Sequence, residues 1–270
     1  PRFIRRLMGA TLAVQLASAI VTVLSLSAIA ERVNPRISGL LAGMPIGSVL
    51  VYFFTGHERG ASYIVASVPH GLASFTGTLV FVMVYVYAGR RWPSLGTTAS
   101  LGLGVLAFFA VSIVLVMIPF TLLTGAVLTI LVAACCGWLF RRIDFVRASQ
   151  PVKLSFGLLV IRSILAAAFV AVAIAIATAL NARWAGIMVG FPMTMLPTIA
   201  ILARAYDVPV IHGFLRNFPF GMGSIIVFLA SIPMTLPSVG VNLGIASSLA
   251  MSFLYTAAAM WLSHRRSRRP

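Results

Sequence analysis

Very few side chains in this sequence can take part in acid–base, metal or nucleophilic chemistry. The 270 residues include four acidic residues, four histidines and two cysteines, against twenty basic residues. Cys135 and Cys136 are adjacent within an apolar run, so they cannot form an ordinary disulfide. The sequence contains no P-loop, no His-Glu-x-x-His motif and no paired aspartate motif. We therefore expect no catalytic residue, no metal site and no cofactor, and an intramembrane enzyme is disfavoured.

Three ionisable residues stand out by position. His70 lies between Pro69 and Gly71 in an apolar run, so it is the first candidate for proton coupling, with a plain hydrogen bond to a neighbouring helix as the alternative. Glu58, in a short polar turn, is the second candidate. Arg162 is an intramembrane charge roughly 12 Å from the start of its run, near enough to extend towards the surface. The formal charge that a ligand could meet inside the membrane is therefore positive, which favours an anionic ligand.

One polar motif occurs twice. Residues 34–45 and 181–192 share Asn-x-Arg-x-x-Gly-x-x-x-Gly-x-Pro, with five of twelve positions identical at an offset of 147. A second set, Pro, Gly and Ser at 69, 71 and 74, recurs at 219, 221 and 224. Apolar bias alone does not generate these shared polar, glycine and proline positions, so we infer an internal duplication.

Each part of the motif has a structural and a functional interpretation. The asparagines can cap helices, and the arginines can extend to lipid headgroups. Alternatively, the asparagine amide, the arginine guanidinium and the positive N-terminal end of the helix together form an anion-binding mouth. The glycines are four residues apart, so they place a close-packing surface on one helix face. The prolines predict kinks, and Pro197 predicts a second break in the later copy. The candidate substrate-binding residues are Asn34, Arg36, Gly43, Pro45, Asn181, Arg183, Gly190 and Pro192.

Composition identifies the elements that hold these residues. The chain is 60% hydrophobic and 9% charged, with a mean hydropathy of +1.06, which is far more apolar than a soluble domain. An apolar stretch of about 20 residues can cross the bilayer as a helix. Nine candidate spans result: 7–30, 37–55, 61–88, 98–118, 121–140, 155–180, 184–203, 214–236 and 239–263. The fold class is therefore an all-α, polytopic transmembrane helix bundle.

The position of the two motifs predicts an inverted repeat. Five candidate spans separate them, and an odd number reverses the direction in which the second motif crosses. The simplest division is 4+1+4, with a first module at 1–118, a joining helix and basic linker at 119–153, and a second, inverted module at 154–270. Inverted repeats are typical of secondary transporters, whose site lies near the midplane between the halves.

Basic residues indicate the location and orientation. The formal net charge of +16 comes from arginines in short loops and the tail, which is typical of topology signals in an inner-membrane protein and not of a nucleic-acid binder. Their distribution favours an N-terminus outside and a C-terminus inside, although the arginines at 2, 5 and 6 oppose it and an eight-span model satisfies them equally well. The same residues can contact anionic lipids.

The motif helix resembles the second helix of the small four-helix GlpM-type membrane proteins. The 4+1+4 layout is similar to that of fused members of the drug/metabolite transporter superfamily, which implies a transport fold but not an activity. Small drug exporters of that superfamily carry a carboxylate in their first helix, whereas residues 7–30 contain no acid. The resemblance therefore does not extend to cation or drug export.

Together these features predict an inner-membrane secondary transporter or flippase for an anionic or amphipathic small solute or lipid. The alternative is a non-catalytic accessory subunit of a larger envelope complex. The expected partners are the lipid bilayer, the solute, and either a second copy of the chain or another membrane protein.

Overall fold

A computed structural model of the chain describes residues 45–141, 156–205, 208–216 and 218–266. The described residues form nine α-helices and one short 3₁₀ turn at Pro93–Leu95. The helices are α1 (Ile46–Arg59), α2 (Ala61–Arg91), α3 (Gly96–Met117), α4 (Leu122–Phe140), α5 (Phe156–Ala179), α6 (Ala182–Val189), α7 (Met195–Ala205), α8 (Val208–Arg216) and α9 (Phe218–Arg266). The predicted span 7–30, the first part of 37–55 and the residues Asn34, Arg36, Gly39 and Gly43 lie outside the described residues.

Four stretches of the described chain are long and apolar enough to cross a membrane. They are Ala61–Arg91, Pro93–Met117, Leu122–Phe140 and Phe218–Trp261. Large apolar side chains on α3, α4 and α9 point outward, with Met117 74%, Leu123 72% and Met234 77% exposed. A continuous apolar outer surface is stable in lipid and unstable in water. The chain is therefore an all-α membrane protein.

The predicted spans agree with α2, α3, α4 and α5 to within a few residues. The turn predicted at Pro119 exists, because α3 ends at Met117 and α4 begins after Thr121. The Thr121 side chain accepts a hydrogen bond from the Thr124 backbone N–H, and the Thr124 side chain accepts one from the Thr121 backbone N–H, which forms a capping box. These polar contacts fix the start of α4 at the end of a tight connection.

Two predictions about the second module are wrong in detail. The predicted span 184–203 is two helices, α6 and α7, separated by residues 190–194. Pro192 lies in this gap, so its missing N–H and rigid ring produce a complete break and not a kink. Pro197 does not cause a second break, because it occupies the first turn of α7, where its missing N–H has no helical partner to lose.

α9 is a hairpin of two antiparallel helical segments, 218–239 and 241–266. Gly240 has φ 78° and ψ 178°, which reverses the chain. The segments are joined by hydrogen bonds between Thr235 Oγ1 and Ser248 Oγ at 2.8 Å and from Ser252 Oγ to the Ser224 carbonyl oxygen at 2.9 Å. Gly60, with φ 88° and ψ 166°, makes the same kind of reversal between α1 and α2.

Contacts between helix ends define two faces of the bundle. On the first, the Gly60 face, Arg59 Nη1 donates to the Thr178 carbonyl oxygen at the end of α5, at 3.2 Å. A Cβ on Gly56 would lie 2.8 Å from Val241, so the Gly60 and Gly240 turns are neighbours there. On the second, the Arg90 face, Gly89 near the end of α2 lies beside the start of α8. The bundle therefore has its helix connections at two opposite ends.

We expect Gly240→Ala to destabilise the protein by about 1–3 kcal/mol, because this backbone conformation is accessible to glycine without strain and to alanine only with it. The measurement is the thermal unfolding midpoint in detergent. Gly102→Ala is the matched control, since a Cβ there meets no atom within 4 Å and its φ is not positive. Equal midpoints for the two variants would contradict the assignment of Gly240 as an obligatory turn.

Candidate functional site

The most irregular part of the described backbone is the break between α6 and α7. α6 ends at Val189, and residues 190–194 make only short turns before α7 begins at Met195. Pro192 is buried, and its carbonyl oxygen accepts hydrogen bonds from the N–H groups of Met195 and Leu196 at 3.1 and 2.9 Å. Pro192 therefore follows the end of α6, and its carbonyl oxygen accepts the first hydrogen bonds from α7.

The break contacts the first turn of α1. Pro45 is buried and directly precedes α1, which begins at Ile46. A Cβ added to Gly47 would lie 3.0 Å from the Met193 Cγ atom. Ser48, 3% exposed, donates from Oγ to the Val189 carbonyl oxygen at 3.2 Å. The structure thus brings the residues that follow Pro45 into contact with the residues on either side of Pro192, and we call residues 45–48 and 189–193 the break site.

Two hydroxyl groups satisfy the carbonyl oxygens that the break frees. Ser48 Oγ bonds to Val189, as above, and Thr78 Oγ1 of α2 donates to the Gly190 carbonyl oxygen. In a lipid environment an unpaired backbone carbonyl costs several kcal/mol, so irregular backbone persists only where protein groups pair with it. The break is therefore stabilised by side chains more than 100 residues away in sequence.

Glycines let α6 lie directly on α2. A Cβ on Gly186 would lie 2.7 Å from the Gly71 backbone nitrogen and would overlap the Ser67 carbonyl oxygen. A Cβ on Gly190 would lie 2.8 Å from the Ser74 Cβ atom. The prediction that the Gly-x-x-x-Gly pair forms one close-packing helix face is confirmed for this copy. The contact also joins the predicted first and second modules.

Aromatic rings cover the break on the side of α3 and α5. Phe191 lies with its ring centroid 5.3 Å from Phe108, 5.7 Å from Phe109 and 6.1 Å from Phe169. Phe108 is fully buried, whereas Phe191 is half-buried. The break site therefore combines hydroxyl and backbone groups with an apolar aromatic wall.

The electrostatic potential at the break site is set by the dipoles of the helix backbones. α1 has no acidic residue in its first turn and no side-chain cap, and the first turn of α7 has no acidic residue either. The N-terminal ends of both helices therefore keep their partial positive charge near the break. Glu58 is the only acidic residue among those that the structure describes, and it lies exposed at the far end of α1. The site is consequently better suited to an anionic group than to a cation.

Asn181 and Arg183 lie at the Gly60 face and not at the break. Asn181 Oδ1 accepts hydrogen bonds from the N–H groups of Arg183 and Trp184 at 3.1 and 3.2 Å, so the helix-cap interpretation is confirmed. The exposed Arg183 donates from Nη1 to the Val116 carbonyl oxygen at the end of α3, at 3.1 Å. Nine residues of helix place Asn181 about 13 Å from Gly190. The predicted site is thus divided into a mouth and a break.

His70 is 4% exposed and lies near the mouth. Its Nε2 is 3.1 Å from the Ile118 carbonyl oxygen, and its ring meets Phe120 edge-on at 5.6 Å. The hydrogen bond to a neighbouring segment, predicted as the alternative role, is confirmed. Nδ1 is buried and has no hydrogen-bond partner among the described residues. The ring therefore keeps one free nitrogen.

The remaining predicted residues lie elsewhere. Glu58 belongs to the last turn of α1, about 14 Å along α2 from His70 when counted from the Gly60 turn, so the structure does not bring the two together. Arg162 falls within α5. Asn34, Arg36 and Gly43 are outside the described residues.

Sequence reasoning missed Ser48 and Thr78, which pair with the break. A signal existed for Thr78, because Ser67, Gly71, Ser74 and Thr78 follow the spacing of one helix face and are all small. For Ser48 the signal was weaker, since a serine three residues after a proline is common in ordinary helices.

Comparison with known proteins does not assign the chain to a family. No protein-family model matches the chain, and no curated protein and no solved structure is significantly similar to it. The resemblance to GlpM-type proteins and to the drug/metabolite transporter superfamily therefore stays a prediction.

We expect Gly186→Ala to lower the free energy of unfolding by about 1–3 kcal/mol, because the new methyl group meets backbone atoms of α2 that cannot rotate away. Thermal unfolding in detergent measures the change. Gly137→Ala is the control, since its Cβ would only touch Phe220 at an ordinary 3.7 Å. A Gly186→Ala protein as stable as the control would refute the close contact of α6 with α2.

Proposed function

We propose that this protein is a secondary transporter or flippase of the cell inner membrane for an anionic or amphipathic small solute or lipid. The observation that carries the proposal is the contact between the start of α1 and the break of α6–α7. Paired, proline-interrupted helices at corresponding positions of two halves are the usual place of a transporter binding site. Ser48 and Gly47 on one side meet Val189 and Met193 on the other.

The directions of the helices support two inverted modules. α1 runs from the break site to the Gly60 face, where Arg59 meets the end of α5. α6 starts at that same face, beside the end of α5, so α7 continues from the break site towards the Arg90 face. The helices that follow the two prolines thus leave the break site in opposite directions, as an inverted repeat requires.

The order of elements also supports the duplication. In the described part of the first module, α1 is followed by α2 and α3. In the second module, α7 takes the place of α1. The pair formed by α8 and the first segment of α9 takes the place of α2, and the second segment of α9 takes the place of α3. Two related halves can exchange conformations, which gives two states of similar energy that open to opposite sides. This is the physical basis for assigning transport.

The charge and the wall of the site support the substrate class. The positive ends of α1 and α7 at the break and the exposed guanidinium of Arg183 at the mouth favour an anionic group. Asn34 and Arg36 of the other copy of the motif are proposed as substrate-binding residues from the sequence alone. The rings of Phe108, Phe109, Phe169 and Phe191 offer an apolar surface beside it. His70 is the proposed group for proton coupling, in preference to the exposed Glu58.

The test is transport by the purified chain in liposomes. The probes are inorganic phosphate, sulfate and acetate, followed as currents on a solid-supported membrane, and a fluorescent phosphatidylglycerol, followed by its protection from dithionite. We expect Arg183→Gln to weaken the apparent affinity for the transported probe about 10–100-fold, because a charge-assisted contact is worth about 1.5–3 kcal/mol. Thr78→Val is expected to lower the transport rate, since it unpairs the Gly190 carbonyl oxygen.

Arg141→Gln is the matched control, because Arg141 is an exposed arginine at the end of α4, away from mouth and break. It should transport like the unmodified chain. Absence of movement of every probe, together with a stably co-purifying membrane protein, would contradict the proposal and favour the accessory-subunit alternative.

A further inference from the structure

Two buried histidines lie near opposite faces of the bundle. His70 on α2 lies beside the α3–α4 connection, on the Gly60 side of the bundle, and His212 on α8 is at the Arg90 face; each is 4% exposed. In each ring one nitrogen is buried without a hydrogen-bond partner among the described residues, Nδ1 of His70 and Nε2 of His212. A buried polar atom left unpaired is unfavourable, so each such atom in a native protein needs an explanation, and a bound proton or ligand is one.

The contacts of His70 define which nitrogen can take a proton. A carbonyl oxygen only accepts, so Nε2, which is 3.1 Å from the Ile118 carbonyl, carries the hydrogen of the neutral ring. Nδ1 then presents a bare lone pair. Arg183 of α6 acts electrostatically on this ring, and Tyr52 of α1 reaches the neighbouring Gly71. The connection between α3 and α4 contributes the Ile118 carbonyl and the Phe120 ring, without a charge.

His212 has a comparable environment at the other face. A Cβ on Gly89 would lie 3.4 Å from His212 Nε2, and the ring of Tyr85 meets the imidazole edge-on at 5.9 Å. α8 is nine residues long, too short to cross a membrane. Burial, and then the positive charge of Arg90, lower the pKa of His212 to about 4. This imidazole is therefore neutral at neutral pH, and the charge of Arg90 is the part of this effect that a bound anion can offset.

Each histidine packs on a helix of the other predicted module, close to an arginine: a Cβ on Gly186, three residues after Arg183, would lie 2.9 Å from His70 Cβ, and His212 lies against Gly89, next to Arg90. His70 belongs to the first module and Arg183 to the second, whereas His212 belongs to the second and Arg90 to the first. A cation beside an imidazole opposes its protonation. An anion bound at the arginine cancels that repulsion, so the ring takes up a proton more readily. By linkage, a protonated ring also strengthens the binding of the anion.

We propose that the two pairs, His70–Arg183 and His212–Arg90, each bind an anion together with a proton, so that the chain moves an anion and a proton in the same direction. At each face the free ring nitrogen accepts, through its lone pair, the proton that enters with the anion, and it returns this proton when the anion leaves. The cargo of a monovalent anion and a proton is then neutral, which lowers the cost of crossing an apolar bundle. This inference rests on the proposed transport function and specifies how its proton is coupled to the anion.

The direct test measures proton binding without transport. The chain with ¹⁵N-labelled histidines is placed in lipid nanodiscs, and the ring signals are titrated with pH in the absence and presence of sulfate, acetate or phosphatidylglycerol. We expect at least one of these probes to increase the proton affinity of His70 and of His212 tenfold or more. Arg183→Gln should abolish the increase at His70 alone, and Arg90→Gln the increase at His212 alone.

A second measurement links the sites to transport. In liposomes, His70→Gln keeps an N–H donor for the Ile118 carbonyl but has no nitrogen that takes up a proton. We expect anion flux in this variant to stop responding to an imposed pH gradient. His57→Gln is the control, since His57 is exposed and contacts Phe53 of its own helix through the carbonyl oxygen and the ring, so the flux of this variant should respond normally.

The outcomes separate this inference from the proposed function. Anion flux that ignores the pH gradient in the unmodified chain, with ring titrations unchanged by every probe, would overturn the proton coupling while leaving transport intact. Ring titrations that respond to a probe in a chain that moves none would uphold the two anion–proton sites and overturn transport. A probe response that survives both arginine variants would also overturn the inference.

Discussion

The close approach of α6 to α2 is the contact on which the rest of the site depends. Gly186 places backbone against backbone at Gly71, and at Gly190 only the small side chain of Ser74 lies between the two helices. This contact sets the depth at which α6 ends. It also places the end of α6 beside Thr78 of α2 and Ser48 of α1, whose hydroxyls take up the freed carbonyls. A methyl group at either glycine would move the break away from both partners.

The need to pair every backbone group in an apolar environment explains the composition of the site. A helix that stops inside the bundle leaves carbonyl and N–H groups without partners. The carbonyls are paired by hydroxyls from α1 and α2, which add no charge. The N–H ends of α1 and α7 have no acidic residue in their first turns, so their positive potential is not cancelled there. The same constraint that permits the break therefore determines the sign of its potential.

Much of the fold follows from local pattern. The bounds of α2 to α5, the tight turn before Thr121, the Asn181 cap and the shared face of Gly186 and Gly190 were predictable, because each depends on residues within one or two helical turns. Whether Pro192 kinks or breaks its helix was not, because the answer depends on Ser48 and Thr78, which are distant in sequence. Pro197 was misread for a related reason: a new helix begins just before it.

The division of the site into two places could not be predicted from the sequence either. Asn181, Arg183, Gly190 and Pro192 form one motif, which suggests one site. A helix of eight residues separates its polar end from its proline end, so they serve different places, a mouth and a break. The neighbour of each place comes from another helix: the end of α3 at the mouth and the start of α1 at the break.

The central claim is that the break site is a polar point reached in turn from both sides of the membrane. The most direct measurement places a single cysteine at position 48, in a chain whose Cys135 and Cys136 are serines, and labels oriented vesicles with a membrane-impermeant thiol reagent. We expect modification of position 48 from either side, and none from either side for a cysteine at position 252, which is buried in the α9 hairpin. Modification of position 48 from one side only, or from neither, would contradict it.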